Sequence, residues 1–329
     1  MVTINWNETK VGDPITLADY IELTIALDLE YDSLSYGSDS FIDFIRDEPF
    51  YPEHSEFLDG DRVDEMQFAF EGAAALVDRR RSWFSNLYPF VRDGGGVQFT
   101  PGCDRKSWLP YLFFLACSHH EVICDDNLKM TEIATVFEDV CKEATRALFS
   151  ESADIFLFSQ FSQDRQEMGH SARDAVANLA KKLNVTVKNQ DSIPSSANEF
   201  GIDIIAIDSF DDVLGIPFFA FGQCTISGDE RQWYDKKDEA RLERGLDRYL
   251  DIGCQHSNFF FVPHLPRVGS QEWSVAPHII SNCIFLDRYR ICNAIHRLQQ
   301  FGRQHSVGVV LEVIEHFLDK LGSKFDLDH

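Results

Sequence analysis

From Asp64 to Trp83, in DEMQFAFEGAAALVDRRRSW, apolar positions recur at close to the helical period and helix formers dominate, which predicts an amphipathic helix. SWLPYLFFLACSHH and MTEIATVFEDVCKEATRALF continue the helical texture. TLADYIELTIALDLEY and DSFIDFIRD add shorter helical stretches near the N-terminus. VRDGGGVQFTPGCD, with its glycine triplet and Pro101, reads as a loop. Near residue 150 the pattern changes. HSARDAVANLAKKL, residues 170–183, predicts a helix with Ser171 as its N-cap. Three strand-like runs follow: VTVKNQ, GIDIIAID and IPFFAFGQCTI. A long helix is then predicted over residues 229–250, followed by the strand NFFFVPH, stopped at Pro263. NCIFLDRYRICNAIHRL passes from strand to helix, and VGVVLEVIEHFLDKL is a final helix. The expected organisation is an α-helical domain over residues 1–150 and an α/β domain over residues 151–329.

Two polar residues interrupt the apolar strands. Asp203 lies at the start of one run and shares a strand face with Ile205 and Ile207. Gln223 lies near the end of the next, on the face of Phe219 and Phe221. A polar side chain in such a strand is costly unless paired or used. Lys236 and Lys237 follow in the next helix. If Leu242, Leu246, Tyr249 and Leu250 form the buried stripe of a helix reaching residue 250, Lys236 flanks that stripe and Lys237 points away. Trp233, one turn earlier than Lys236, is placed to wall a pocket.

The combination of GIDIIA, FGQC, a tryptophan, a lysine and FFVPH resembles the core of the PD-(D/E)XK restriction-endonuclease-like superfamily over roughly residues 165–300. The order helix, three strands, helix, strand matches that core. The resemblance implies a restriction-endonuclease-like mixed sheet flanked by helices. It also implies a metal-dependent endonuclease cutting DNA by in-line attack of water, as the effector of a bacterial anti-phage defence system. Asp203 would be the principal ligand of Mg²⁺ or Mn²⁺ and Gln223 a second ligand. The Cys224 carbonyl would add a backbone oxygen, and Lys236 the cation near the transferred phosphate. One carboxylate holds such a cation weakly, so Glu199 is the expected second acid, with Glu167 and Asp208 as lesser choices. One departure from the family pattern stands out. The strand reads Gln223, Cys224, Thr225, with no lysine at the third position. In some members of the superfamily the lysine comes from the following helix. The competing expectation is an inactive nuclease-fold subunit that serves as an interaction platform in a multi-protein defence complex.

Charge qualifies this picture. The chain carries a net −24, and residues 1–66 supply −14 of it, with 17 acidic against 3 basic residues. Such a field repels a phosphate backbone, so a nuclease of this composition needs bridging cations or a partner protein that delivers DNA. The expected state is therefore a hetero-complex or a homo-oligomer. Eight cysteines without a repeating interval argue for reduced thiols, and the N-terminus has no secretory pattern. No apolar run spans a bilayer, so the expected location is the cytoplasm.

Other groupings carry less weight. Cys117, His119, His120 and Cys124 in CSHHEVIC fit no usual zinc spacing. Cys224, His264 and Asp287 can be drawn as a cysteine-hydrolase triad, although cysteine in an apolar strand is usually inert. FLDRYR reads as a phosphate contact or, more commonly, an internal ion pair at a helix start. DRRRSW reads first as a helix C-terminal turn with favourable charge and second as a phosphate-contact patch.

Overall fold

The structure is a computed structural model that describes residues 13–27, 35–37, 60–100, 104–124, 128–159, 162–193, 200–209, 218–239, 245–253 and 256–320. The chain divides into two units. One comprises Met1–Met130, Leu265–Ser274 and Ile314–His329, and the other Thr131–His264 and Val275–Val313. The division thus falls at residue 130, ahead of the textural change near 150, and both units are discontinuous.

The first unit contains α1 (Pro14–Leu27), β1 (Ser35–Gly37), α2 (Gly60–Phe84), β2 (Phe90–Asp93), β3 (Gly96–Phe99) and α3 (Arg105–Ser118). It is not all-helical. The glycine triplet closes a hairpin, because β2 and β3 pair antiparallel across Gly94 and Gly95. Gly94 at φ 57° takes the left-handed conformation that such a tight turn demands. β1 joins the far side of β3 to make a three-stranded sheet. DSFIDFIRD lies outside the described residues.

The second unit is mixed α/β. Its elements include α4 (Met130–Thr145), β4 (Asp154–Leu157), α5 (Gln163–Met168), α6 (Ala172–Leu183), β5 (Ile204–Asp208), β6 (Phe218–Cys224), α7 (Glu230–Lys237), β7 (Ser257–Phe261), β8 (Ile284–Leu286), α8 (Arg288–Gln300) and, as far as Val313, α9 (Gln304–Lys320). Five strands form one sheet in the order β8-β7-β6-β5-β4. β4, β5 and β6 run antiparallel to their neighbours, whereas β6, β7 and β8 run parallel. The α6 helix starts as expected, with the Ser171 hydroxyl accepting from the Asp174 N–H.

Two expectations about this unit are corrected. VTVKNQ contributes only Thr186–Val187, paired with Leu250–Asp251, and stays out of the central sheet. The third antiparallel strand of the sheet is instead β4, which precedes α6 in the chain and pairs with β5. The helix expected over residues 229–250 is also absent as such. It ends at Lys237, Leu246–Arg248 form a 3₁₀ turn, and Leu250 is on a short strand. Gly245 lies against the Phe200 carbonyl, where a Cβ would come within 2.6 Å of that oxygen. A residue with a side chain is excluded from that approach, so the backbone turns there.

Ring contacts fix the two faces of the sheet. Phe219 and Phe221 touch His256, so Asn258 and Phe260 share their face by alternation. That face packs on α6 through Ile205, Ile207, Phe219 and Phe221. It packs on α7 as well, because Phe285, which pairs with Phe260, touches Trp233. On the opposite face Phe149 touches Phe218 and Phe259.

Candidate active site

Asp203 enters β5 just before its first paired residue and is buried. Its N–H donates to the Gly222 carbonyl at 2.8 Å, and its carboxylate Oδ2 accepts the Cys224 N–H at 2.7 Å. Asp203 is therefore bonded to both residues that flank Gln223. The sequence-predicted acid and amide are brought together at the junction of two central strands. A carboxylate accepting a backbone N–H is a charge-assisted bond, worth about 1.5–3 kcal/mol where the group is ionised.

Gln223 is 5% exposed, and its Oε1 makes no hydrogen bond among the described residues. An oxygen left so costs about 1–3 kcal/mol. Packing alone could have been served by leucine without that cost, so the amide oxygen needs a use. A second such oxygen lies nearby. Asn258 Oδ1 on β7 is buried and without a hydrogen bond among the described residues. The sequence reading passed over Asn258 because it precedes an aromatic run, although the rule that singled out Gln223 applies to it equally.

Cys224 faces the other side of the sheet. Its thiol hydrogen-bonds to Cys141 on α4, and both are buried. Burial first, then Cys141, Asp203 and Glu138, push the Cys224 thiol well above its ordinary range. A thiol held protonated in this way is a poor nucleophile. His264 is engaged elsewhere, with Nε2 at 3.0 Å from the Ile226 carbonyl and its ring against Trp233. Asp287 caps α8 by accepting the Arg290 N–H. Each member of the drawn Cys-His-Asp triad has a structural use.

The α7 helix lies over the face that carries Gln223 and Asn258. Trp233 is buried there, with Nε1 donating to the Ser227 carbonyl at 2.6 Å. Its ring packs on His264 and Phe285. The lysine phase is reversed. Lys237, four residues after Trp233, is the buried one, and its ammonium donates to the carbonyls of His278 and Ser281. It also lies 5.0 Å from the Tyr234 ring. Lys236 is half-buried and forms no ion pair among the described residues. The phase is reversed because Leu246 and Leu250, two members of the expected stripe, lie on a 3₁₀ turn and a short strand beyond the helix, and Leu242 lies outside the described residues. Lys236 retains its candidacy on different ground, as the α7 lysine whose ammonium is not consumed by backbone carbonyls.

The remaining acids are placed as follows. Glu199 lies outside the described residues. Glu167 is exposed on α5 and accepts from Gln163. Asp208 ends β5 at the far end from Asp203 and accepts the Ser150 N–H. Among the described residues no three of His, Cys, Asp and Glu gather to hold a metal ion. The CSHHEVIC residues follow suit: His120 Nδ1 lies by the Cys117 carbonyl and His119 Nε2 by Asp19. Among the described residues the oxygens at this end of the sheet include the Asp203 carboxylate and the buried amide oxygens of Gln223 and Asn258, with the Glu138 carboxylate near enough to act on Cys224. These are hard oxygens of the kind Mg²⁺ and Mn²⁺ take.

The basic runs serve the fold. In FLDRYR, Arg288 and Arg290 donate to the carbonyls of Pro263 and Phe285. In DRRRSW, Arg80 is fully buried and pairs with Asp19 at 2.6 Å and Glu22 at 2.7 Å. Glu22 also accepts from the hydroxyls of Tyr88 and Tyr111, each at 2.5 Å. Burial opposes the Arg80 charge, yet the two carboxylates outweigh it and hold the guanidinium well above its ordinary range. The helix-turn reading of DRRRSW missed this ion pair. The available signal was Asp19 and Glu22, three apart on one face of an otherwise apolar helix.

A scan against protein-family models and searches of curated proteins and of solved structures gave no match to this chain. Among the described residues no helix is long and apolar enough to cross a membrane.

Proposed function

We propose that the second unit is a metal-dependent nuclease that hydrolyses phosphodiester bonds in DNA at the end of β5 and β6. The observation that carries this reading is the buried Oε1 of Gln223, unbonded among the described residues, in register with Asp203, which is bonded to both Gly222 and Cys224. Asp203 and Gln223 would hold Mg²⁺ or Mn²⁺, with the Cys224 carbonyl as a further oxygen. The cation, when bound, neutralises charge on the phosphate and eases deprotonation of the attacking water. Asp203 contributes the negative charge and is kept in place by its bond to the Cys224 N–H. Lys236, on the helix that covers this face, offers an ammonium to a phosphate oxygen. Trp233 closes one side of the site and limits water there. The acidic composition calls for bridging cations, or a partner protein, to bring DNA to the site.

A second reading, an interaction subunit on a nuclease-like sheet, is favoured by two features. Asp203 already closes a strand ladder, and Lys237 is consumed by two carbonyls. Incubation with plasmid DNA and Mn²⁺ separates the two, with Gln223→Leu as the partner variant. Cleavage by the wild type that falls at least about tenfold in Gln223→Leu supports the nuclease. A stable, folded wild type that leaves DNA intact with every divalent cation supports the interaction subunit.

A further inference from the structure

The α6–α7 face of the sheet carries a second buried polar atom with no hydrogen-bond partner among the described residues. Asn258 on β7 pairs in register with Phe221, and Gln223 pairs with Phe260 one step further along. Gln223 and Asn258 are therefore diagonal neighbours on one face, a separation that long side chains bridge. The ring of His256 against Phe219 and Phe221 confirms that this face of β7 lies beside Gln223's face of β6. Both amide oxygens, Gln223 Oε1 and Asn258 Oδ1, are buried and unbonded among the described residues. Two acceptors on adjoining strands cannot satisfy each other. One group that satisfies both at once is a hard cation, and the Asp203 carboxylate, which accepts the Cys224 N–H beside Gln223, lies at the same end of these strands.

From this juxtaposition we infer that Asn258 is a ligand of the divalent cation, completing with Asp203 and Gln223 an oxygen set drawn from three adjacent strands. The inference rests on the metal-dependent reading above and names a residue that reading does not need. An Asp-Gln-Asn set carries a single negative charge, so it holds a divalent cation loosely until phosphate oxygens join it. The three oxygens still bind the cation saturably by themselves, and phosphate oxygens tighten that hold.

The test uses Mn²⁺ alone as the probe, followed by electron paramagnetic resonance of the free ion or by calorimetry, on the full-length chain. Asn258→Leu preserves shape and removes the oxygen; Asn258→Asp adds a charge. The inference expects saturable Mn²⁺ binding by the wild type, at least about tenfold weaker in Asn258→Leu and tighter in Asn258→Asp. If Asn258→Leu binds Mn²⁺ as the wild type does while Gln223→Leu loses it, Asn258 is no ligand, and the metal-dependent reading stands without it. If the wild type binds no Mn²⁺ saturably, both fall. Should Asn258→Leu fail to fold by circular dichroism, Asn258→Asp decides: affinity equal to or below that of the wild type overturns the inference.

Discussion

The Cys224 N–H donates to the Asp203 carboxylate across 2.7 Å, so the acid assigned to chemistry is also the acceptor that closes the β5–β6 ladder. The two duties can be separated by substitution. Asp203→Asn keeps an acceptor oxygen and removes the charge, whereas Asp203→Ala leaves a buried N–H without its partner. We expect Asp203→Ala to lose about 1–3 kcal/mol of stability in a urea titration, and Asp203→Asn to lose less. Equal stability of Asp203→Ala and the wild type would show that the bond is not needed by the fold.

The two α7 lysines should divide in the same way. Lys237→Met removes the donor to two carbonyls in a buried place, and should cost about 1–3 kcal/mol in denaturation. Lys236→Met should change stability by no more than about 0.5 kcal/mol and lower the rate of DNA cleavage instead. A cleavage rate unchanged in Lys236→Met would remove it from the site.

In the first unit, Arg80→Met strands Asp19 and Glu22 as buried carboxylates next to each other. Breaking one side of a buried ion pair costs about 3–5 kcal/mol, more than this network gains over an apolar filling. Thermal unfolding should show a large drop in Tm. The triple variant Asp19→Leu, Glu22→Leu, Arg80→Met should recover part of it. A Tm for Arg80→Met close to that of the wild type would contradict the pairing.

Alkaline pH acts on the buried thiols. Burial, and after it their surroundings, raise Cys224 and Cys141 above the ordinary 9.0, and the mutual hydrogen bond only partly offsets this for Cys141. The folded state then retains thiol protons that the unfolded chain releases above that value. Stability is complete below about pH 9 and declines as pH rises toward the folded values. Urea midpoints measured from pH 7 to 10 should fall at the alkaline end. Cys141→Ala with Cys224→Ala should flatten the fall. A midpoint independent of pH for the wild type would contradict the burial of these thiols.

How far the sequence foretells this arrangement depends on the element. β5 and β6 are legible because unbroken apolar runs leave few choices, and Asp203 and Gln223, the polar residues singled out in them, are brought together across the two strands. α6 was legible from Ser171 and its amphipathic period. The end of α7 was not, because residues 229–250 are rich in helix formers and the close approach of Gly245 to Phe200 is a tertiary event. The glycines of the β2–β3 turn read as a loop when alone, and the pairing from Phe90–Phe99 down to Asp93–Gly96 makes them a hairpin. β4 was missed outright, since ADIFLF is too short to declare itself without its partner strand. Lys237 shows the limit most plainly, since its burial depends on carbonyls some forty residues away in the chain.

The measurement that bears most directly on the metal-dependent reading is cleavage of plasmid DNA by the purified protein with Mg²⁺ or Mn²⁺, beside the folded Asp203→Asn variant. The account predicts cleavage that requires the cation and disappears in Asp203→Asn while its urea midpoint stays near that of the wild type. Equal cleavage by the two proteins would contradict it, as would intact DNA in both with either cation.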